Sequence, residues 1–202
     1  MILSGRESNS GERDLSDFLH VCGKVLMETI LENGKVLALH QGDITRFEAD
    51  AIGNAANAAL AGGGGVDGAI HRAAGPGLMR DLAQYDGCPT GSAVITHAGD
   101  LNADHVIHAV GPRWRGGRHG EAGLLEGAYR RTLELAEEAG CRSLALPSIS
   151  TGIYGYPVNQ AAPLAVDTVR RFLLTAAKQL ERVTFVLFDS GTYRAYEEVL
   201  EG

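Results

Sequence analysis

The chain has 202 residues, a formal net charge of −7 and three cysteines, Cys22, Cys88 and Cys141. This charge disfavours a dedicated nucleic-acid binder, which would be basic, and the separated cysteines suit neither a disulfide framework nor a zinc cluster. No apolar run is long enough to span a membrane, and the start lacks the basic and apolar regions of an export signal. We therefore expect a cytoplasmic protein with one folded domain, and we expect it to be a monomer.

The predicted elements alternate between strands and helices after a polar start. Residues 1–24, which include "SGRESNSGERD", predict a flexible extension in which "LSDFLHV" forms a short helix. The domain is predicted to span residues 25–202. Its predicted strands are Val25–Ile30, Lys35–His40, Ala51–Ala55, Ala93–Thr96, His105–Val110, Ser143–Leu146 and Arg182–Phe188. Its predicted helices are Val66–Ala74, Glu121–Ala139, Asn159–Ala177 and Thr192–Leu200.

Strands that alternate with helices predict an α/β domain with three layers, α/β/α, and a mixed, mostly parallel sheet. The segments "SLALP" and "VTFVLF" are apolar throughout, which is typical of strands covered on both faces. The turn "ENGK" at Glu32–Lys35 predicts a hairpin and an antiparallel strand at one edge. In such folds a ligand binds beyond the carboxyl ends of the strands. Four unusual loops follow predicted strands, namely "QGDIT", "NAANAALAGGGGVDG", "GPRWRGGRHG" and "PSISTGIYGYP".

The stretch "GGGGVDGAIH", Gly62 to His71, places four glycines before a predicted helix. Bare backbone N–H groups at the positive end of a helix dipole bind anions. A turn that needs positive φ angles is the alternative interpretation. Gly63, Gly65 and Gly68 match the dinucleotide pattern G-x-G-x-x-G, but eight residues separate the glycines from the strand, so the match is weak.

The loop "STGIYGYP" contains a second set of candidate anion-binding groups. The hydroxyls of Ser150 and Thr151, together with the backbone of Gly152 and Gly155, predict a nest that binds anions without a lysine. Two such loops facing each other would hold a diphosphate from both sides. Tyr154 covers a sugar or, alternatively, packs in the core.

Other residues near strand ends each allow two interpretations. Asp43 accepts a hydrogen bond from an exocyclic amine such as adenine N6, or it caps a turn. Phe188 stacks on a base or packs in the core. Asn54 and Asn57 hold a sugar hydroxyl, or they fix a loop backbone.

Asp67 brings a negative charge into the predicted anion site. It lies four residues before His71, so the two side chains share one helix face. A carboxylate in the first turn of a helix is often only a capping residue. No serine, cysteine or histidine arrangement resembles a nucleophilic triad, and the other histidines lack metal-ligand spacing. These patterns allow two roles for Asp67, as a capping residue of the helix or as a carboxylate that takes part in a reaction.

In order along the chain, "GDITRFEADAIGNAANAALAGGGGVDGAIHRAAGPGL", "PTGSAVITHAGDL", "VIHAVGPRWRGG" and "PSISTGIYGYP" resemble the macrodomain family. The resemblance is strongest to the MacroD-type branch, which includes bacterial O-acetyl-ADP-ribose deacetylases, and it extends from about Lys35 to Leu200. The chain departs from the family pattern at Gly53, where a branched apolar residue is usual, and at Ala58 and Ala59, which replace a more polar pair.

The resemblance implies that the ligand is ADP-ribose and that the protein is a hydrolase that needs neither a metal nor a cofactor. It implies two kinds of substrate, O-acyl-ADP-ribose and proteins mono-ADP-ribosylated on acidic side chains. Asp67 and Asn57 are the implied catalytic residues, with Asp67 positioning a water toward the ribose that carries the ester. The implied substrate-binding residues are Asp43, Ile44, Asn54, Gly63, Gly64, Gly65, Val66, His71, Ser150, Thr151, Gly152, Ile153, Tyr154 and Phe188.

Two other functions stay open from the sequence. One is a reader module that binds ADP-ribose or poly(ADP-ribose) without turnover, although the presence of Asp67 and Asn57 favours an enzyme. The other is binding of RNA ends through the adenosine pocket, although the net charge of −7 disfavours nucleic acid.

Overall fold

The computed structural model describes residues 25–202, so the predicted extension and its "LSDFLHV" helix lie outside the described residues. The strands of this part are β1 Val25–Ile30, β2 Val36–Gln41, β3 Ala51–Ala55, β4 Ser92–His97, β5 His105–Val110, β6 Ser143–Leu146 and β7 Arg182–Leu187. The helices are α1 Gly65–Ala74, α2 Gly77–Leu82, α3 Glu121–Glu138, α4 Val158–Thr175 and α5 Ser190–Glu201. Every strand and helix predicted within residues 25–202 is confirmed, with each boundary within two residues of its predicted position.

The strands form one sheet in the order β1-β2-β7-β6-β3-β5-β4. The inner pairings are parallel, and the edge strands β1 and β4 pair antiparallel with β2 and β5. The predicted mixed, mostly parallel sheet and its antiparallel edge at the "ENGK" hairpin are therefore confirmed. The second antiparallel edge was not predicted, because no short hairpin turn separates "SAVITH" from "HVIHAV" in the sequence.

Helices cover both faces of the sheet, which confirms the predicted three-layer fold. On one face α3, α4 and α5 pack together, and on the other face lie α1 and α2. Alternation along the strands divides the side chains between these two cores: Leu144 and Leu146 face α3–α5, whereas Ala145 faces α1 and α2. Burial on both faces explains why the inner strands are apolar throughout.

One helix and one turn were missed by the sequence analysis. Helix α2 has only six residues and begins directly after Pro76, so it is too short to show a helical period. A 3₁₀ turn, Ile44–Arg46, follows β2 and begins at Asp43. None of the helices within residues 25–202 is long and apolar enough to cross a membrane.

The carboxyl ends of β2, β7, β6, β3 and β5 lie side by side in that order, because these strands are parallel neighbours. The four unusual loops of the sequence follow β2, β6, β3 and β5, so all of them begin at this one edge of the sheet.

Candidate active site

The glycine loop (residues 61–65) leads from β3 into α1. Gly62 and Gly65 have φ angles of 72° and 61°, so the turn requires glycine at these two positions. Gly63 and Gly64 do not have positive φ angles, and both are exposed. The turn interpretation therefore accounts for one pair of glycines, and the second pair leaves bare backbone exposed beside the first turn of α1.

The facing loop (residues 148–155) approaches the glycine loop through Ile153. A Cβ atom placed on Gly64 would lie 3.3 Å from Ile153 Cδ1, and one placed on Gly65 would lie 3.9 Å from the same atom. The Ile153 side chain is nevertheless 69% exposed. The two loops predicted to oppose each other are thus in contact, with an exposed apolar side chain between them.

The hydroxyls of the facing loop contact other residues of the protein. Ser150 is buried at a φ angle of 68°, and its Oγ lies against Gly111 of the loop after β5. Thr151 Oγ1 donates its hydrogen to the carbonyl oxygen of Ser148 at 3.0 Å. In this arrangement Ser150 Oγ packs against Gly111 and Thr151 Oγ1 bonds locally, so the contact of either hydroxyl with a ligand stays a prediction.

Backbone N–H groups are the donors that remain in both loops. Within the described part of the chain, no hydrogen-bond acceptor lies within reach of the N–H groups of residues 62–66 or of residues 151–154. Several residues of these two opposed runs are exposed, so their N–H groups are accessible to a partner from outside the protein. Such runs bind anions, and one of them also sits at the positive end of the α1 dipole.

Two buried tyrosines fix the start of the facing loop. The N–H of Ile149 donates to Tyr129 Oη at 2.9 Å, and Tyr129 Oη lies 3.2 Å from the carbonyl oxygen of Pro147. Tyr196 Oη donates to Ser148 Oγ at 2.9 Å. Burial raises the pKa of both phenols, so both stay neutral. The loop therefore leaves β6 in a fixed direction.

Asp67 lies below the glycine loop and is 5% exposed. Its Oδ1 accepts a hydrogen bond from Asn54 Nδ2 at 2.7 Å and lies 3.3 Å from His71 Nε2. Its Oδ2 faces the glycine loop, since a Cβ atom on Gly63 would lie 3.1 Å from it. Within residues 25–202 no backbone N–H of the first turn donates to this carboxylate, and the N-cap of α1 is Gly64. Asp67 therefore does not cap α1 through a hydrogen bond, although its carboxylate lies in the first turn, at the positive end of the helix dipole.

A buried chain of hydrogen bonds continues beneath Asp67. Asn54 has no exposed surface, and its second Nδ2 hydrogen reaches His108 Nδ1 at 3.1 Å. Thr96 Oγ1 donates to the carbonyl oxygen of His97 and lies 3.0 Å from His108 Nε2. Thr96 thus acts as the acceptor for Nε2–H, which leaves Nδ1 as the acceptor that fixes the Asn54 amide.

The same burial keeps His108 uncharged. Burial, with a smaller contribution from nearby His71, lowers the pKa of His108 to about 3. Direct contact between Asn54 and a ligand, which the sequence analysis predicted, is therefore wrong for this arrangement. Because it is fully enclosed, Asn54 acts on a ligand only through Asp67.

Asn57 and His71 border the Asp67 carboxylate. Asn57 Nδ2 donates to the carbonyl oxygen of Gly62 at 2.8 Å, so its amide fixes the glycine loop. A Cβ atom placed on Gly63 would lie 3.7 Å from Asn57 Nδ2 and 3.1 Å from Asp67 Oδ2. The Asn57 amide and the Asp67 carboxylate therefore both lie close to Gly63. His71 keeps 14% of its side chain exposed beside Asp67. In residues 25–202 no three His, Cys, Asp or Glu side chains are grouped closely enough to hold a metal ion.

Asp43 and Phe188 follow the neighbouring strands β2 and β7 at the other end of this edge. Asp43 is exposed, and its Oδ1 accepts hydrogen bonds from Thr45 N at 3.0 Å and Thr45 Oγ1 at 2.8 Å. It therefore caps the 3₁₀ turn through one oxygen. The Ile44 side chain is buried in the core, so only its backbone is available to a ligand. Phe188 is 80% exposed, which rules out the core interpretation.

Fold and site together define a three-layer α/β domain in which two loops with unpaired backbone N–H groups and a buried carboxylate lie at the carboxyl edge of the sheet. The Macro domain family model matches residues 53–165, and the chain belongs to this family. An O-acetyl-ADP-ribose deacetylase from Salmonella typhimurium is 58% identical over 168 residues, which cover 81% of this chain and 93% of the relative.

Solved structures show the same fold. The Oceanobacillus iheyensis macrodomain with ADP has a TM-score of 0.81 and 40% identity, and the match covers 87% of this chain and 94% of that chain. The Trypanosoma brucei macrodomain in complex with ADP-ribose has a TM-score of 0.76 and 41% identity, and the match covers 81% of this chain and 68% of that chain. The family resemblance drawn from the motifs and the macrodomain fold that it implied are confirmed.

Proposed function

We propose that the protein binds ADP-ribose and hydrolyses its esters, both O-acetyl-ADP-ribose and mono-ADP-ribose attached to acidic side chains. The observation that carries this proposal is the Asp67 carboxylate, held through Oδ1 by Asn54 and His71 while Oδ2 faces the glycine loop. A macrodomain that resembles this chain is solved with ADP-ribose, and another relative is named a deacetylase of its acetyl ester.

The order of the strands supports one order for the parts of the ligand along the edge of the sheet. Asp43 and Phe188 follow β2 and β7 and receive the adenine, one as an acceptor for N6 and the other as a stacking surface. The unpaired N–H groups of residues 62–66 and 151–154 follow β3 and β6 and receive the diphosphate. The distal ribose then lies against Asn57 and Asp67.

Asp67 serves as the base in the proposed reaction. Its Oδ2 takes a proton from a water whose oxygen bonds to the acyl carbon of the ester. The bond between that carbon and the ribose oxygen breaks, and the ribose oxygen takes up a proton, which gives ADP-ribose and the free carboxylic acid. A positioned base contributes about 10²–10⁴-fold, and the fixed orientation of ribose and water supplies the remainder. The chain of hydrogen bonds to His108 keeps Oδ1 occupied and directs Oδ2 toward the water.

Two substrates test the proposal in one experiment. Wild-type protein is incubated with O-acetyl-ADP-ribose and with a protein mono-ADP-ribosylated on glutamate, and released ADP-ribose is followed by chromatography. We expect product from both substrates. Calorimetry with ADP-ribose runs in parallel, and binding without any product would identify the reader module instead. Product from the acetyl ester alone would remove the modified proteins from the proposal.

A further inference from the structure

The loop after β5, "GPRWRGGRHG", has no part in the function proposed above. This arginine loop (residues 111–120) begins at the strand next to β3 on the side away from β6. In the proposed ligand order the adenine lies over β2 and β7, the diphosphate over β6 and β3, and the distal ribose at β3. The next position along the edge is β5, so the arginine loop lies where the group esterified to the ribose leaves the proposed ADP-ribose site.

A cavity of about 320 Å³ lies beside the arginine loop. Its walls include Ala58, which directly follows Asn57, and Tyr154, which belongs to the facing loop. Arg113, Arg115 and His119 line it from the arginine loop. The cavity therefore adjoins the ribose end of the proposed ADP-ribose site and is much larger than an acetyl group requires.

The arginine loop concentrates positive charge on an acidic protein. Arg113, Arg115 and Arg118 are exposed, and none of them forms an ion pair with any residue of the described range 25–202. The chain as a whole has a formal net charge of −7. Three guanidinium groups without ion pairs within six residues therefore form a positively charged patch on a negatively charged protein. Guanidinium groups bind carboxylates in bidentate geometry.

The buried carboxylate of Glu121 fixes the backbone of the arginine loop. Glu121 is 2% exposed, and its carboxylate accepts backbone N–H bonds from Arg115 at 3.1 Å, Gly117 at 3.1 Å and His119 at 2.6 Å. Burial raises the pKa of Glu121, but the backbone donors outweigh burial and lower this pKa to about 2, so the carboxylate stays ionised. The loop backbone is therefore preorganised without using any arginine side chain.

Aromatic contacts join the arginine loop to the facing loop. The Arg113 guanidinium carbon lies 4.4 Å from the centroid of the Tyr154 ring, which is a cation–π distance. The N–H of Trp114 donates to the carbonyl oxygen of Tyr154 at 2.9 Å, and the Trp114 ring lies 4.6 Å from that of Tyr156. The cavity is thus bounded by two loops that are fixed to each other.

We propose that the cavity and the arginine loop form a subsite for the polypeptide that carries the ADP-ribose, and that this subsite selects acidic segments. The modified glutamate or aspartate enters from the cavity toward Asp67, and acidic neighbours in the same segment pair with Arg115 and Arg118. The inference rests on the proposed function, since it assigns the leaving side of the same ester.

The test compares two glutamate-ADP-ribosylated peptides that differ only in having acidic or glutamine residues around the modified position. O-acetyl-ADP-ribose is the third substrate, because it has no polypeptide. The test variant is Arg115→Gln with Arg118→Gln. The control variant, Arg80→Gln with Arg130→Gln, removes the same charge from exposed arginines of α2 and α3.

We expect wild type to prefer the acidic peptide by about fivefold to tenfold in kcat/KM at low salt, the range for a few solvent-exposed ion pairs, and to lose this preference at high salt. The test variant is expected to lose the preference while its rate on O-acetyl-ADP-ribose stays within about twofold. The control variant is expected to match wild type on every substrate.

Three results would overturn the inference. These are equal rates of wild type on the two peptides, an equal loss in the control variant, or stronger inhibition by a short RNA oligonucleotide than by the unmodified acidic peptide. Failure of the proposed function gives a different result, because wild type would then release no ADP-ribose from either peptide, whereas the inference is overturned by measurable rates that are equal on the two peptides.

Discussion

The two ends of the proposed ADP-ribose site, a ribose end at Asp67 and an adenine end at Asp43, fix their carboxylates in different ways. At the ribose end, Asp67 is 5% exposed, and its partner Asn54 is fully buried against His108. At the adenine end, Asp43 is exposed, and its hydrogen bonds reach only Thr45, two residues away. One carboxylate is oriented by residues from three strands and a helix, and the other by its own turn.

This difference matches what each end is proposed to do. A group that takes a proton in a reaction must keep its geometry within a fraction of an ångström, which requires buried supporting partners. A group that recognises a base only has to be accessible to that base, and a local cap fixes it sufficiently. We therefore expect substitutions at the ribose end to change turnover and substitutions at the adenine end to change affinity.

The largest effect is expected for Asp67→Ala. We expect kcat for ester hydrolysis to fall by about 10²–10⁴-fold, the contribution of a positioned base, while the affinity for ADP-ribose is nearly unchanged. Turnover of O-acetyl-ADP-ribose and calorimetry with ADP-ribose measure the two quantities. Asp81→Ala, at a partly exposed aspartate of α2, is the control. Unchanged turnover in Asp67→Ala would show that the buried carboxylate has no part in the reaction.

Acid is expected to destabilise the ribose end through His108. The folded pKa of about 3 lies below the ordinary value of 6.5, so the unfolded chain binds a proton that the folded chain rejects. Stability is therefore full above about pH 6.5 and falls as the pH drops, by on the order of 4 kcal/mol in total near pH 3. Urea unfolding between pH 7 and pH 5 measures the slope above the range in which Glu121 titrates.

Two variants attribute that slope to one histidine. His108→Gln is expected to flatten it, whereas His97→Gln, at an exposed position, is expected to keep the wild-type slope. An unchanged slope in His108→Gln would mean that another group carries the acid dependence.

Gly152→Glu tests the middle of the proposed ADP-ribose site, between the two ends. A Cβ atom on Gly152 would meet nothing within 4 Å, and its φ angle is not positive, so the fold is expected to tolerate the substitution. The carboxylate would enter the diphosphate site and repel it, so we expect ADP-ribose affinity to fall by more than about 100-fold. Thermal melting and calorimetry check the two claims, with Gly152→Ala as the smaller control. Binding within about threefold of wild type would contradict the placement of the diphosphate.

Asp43→Ala is expected to act on affinity alone. We expect ADP-ribose binding to weaken by about 1.5–3 kcal/mol, the range for a hydrogen bond to a charged group, and kcat at saturation to stay the same. An analogue with hypoxanthine in place of adenine, which lacks the amine, is expected to bind wild type and variant equally. If wild type binds ADP-ribose and its hypoxanthine analogue with equal affinity, Asp43 does not accept a hydrogen bond from the adenine N6 amine.

The smallest effect is expected for Thr96→Val. The substitution removes the acceptor that fixes the His108 tautomer and keeps the side-chain shape, so Asn54 and Asp67 lose part of their orientation. We expect kcat to fall by about twofold to tenfold, the equivalent of one net hydrogen bond, with KM unchanged. Thr175→Val, at an exposed position in the last turn of α4, is the control. A change in KM without a change in kcat would mean that this chain of bonds only supports the fold.

The sequence predicted the elements and the two loops that are candidates for anion binding because each of these is a local pattern. Apolar runs, the "ENGK" turn and the glycine run depend on neighbouring residues. Helix α2 was not predicted because six residues are too few to show the helical period of apolar residues. The orientation of the Ser150 and Thr151 hydroxyls was not predicted. These hydroxyls contact Gly111 and Ser148, whose positions depend on the ends of two strands.

By itself, the sequence determined the three-layer fold, the edge of the sheet that holds the site, and the presence of Asp67 beside a glycine-rich loop. Only the tertiary structure decided that Asn54 supports Asp67 rather than meeting the ligand, since its partner His108 lies 54 residues away. The physical reason is that a buried amide takes its role from whichever donors and acceptors enclose it. Those partners come from β3, β4, β5 and α1, which become neighbours only when the sheet forms.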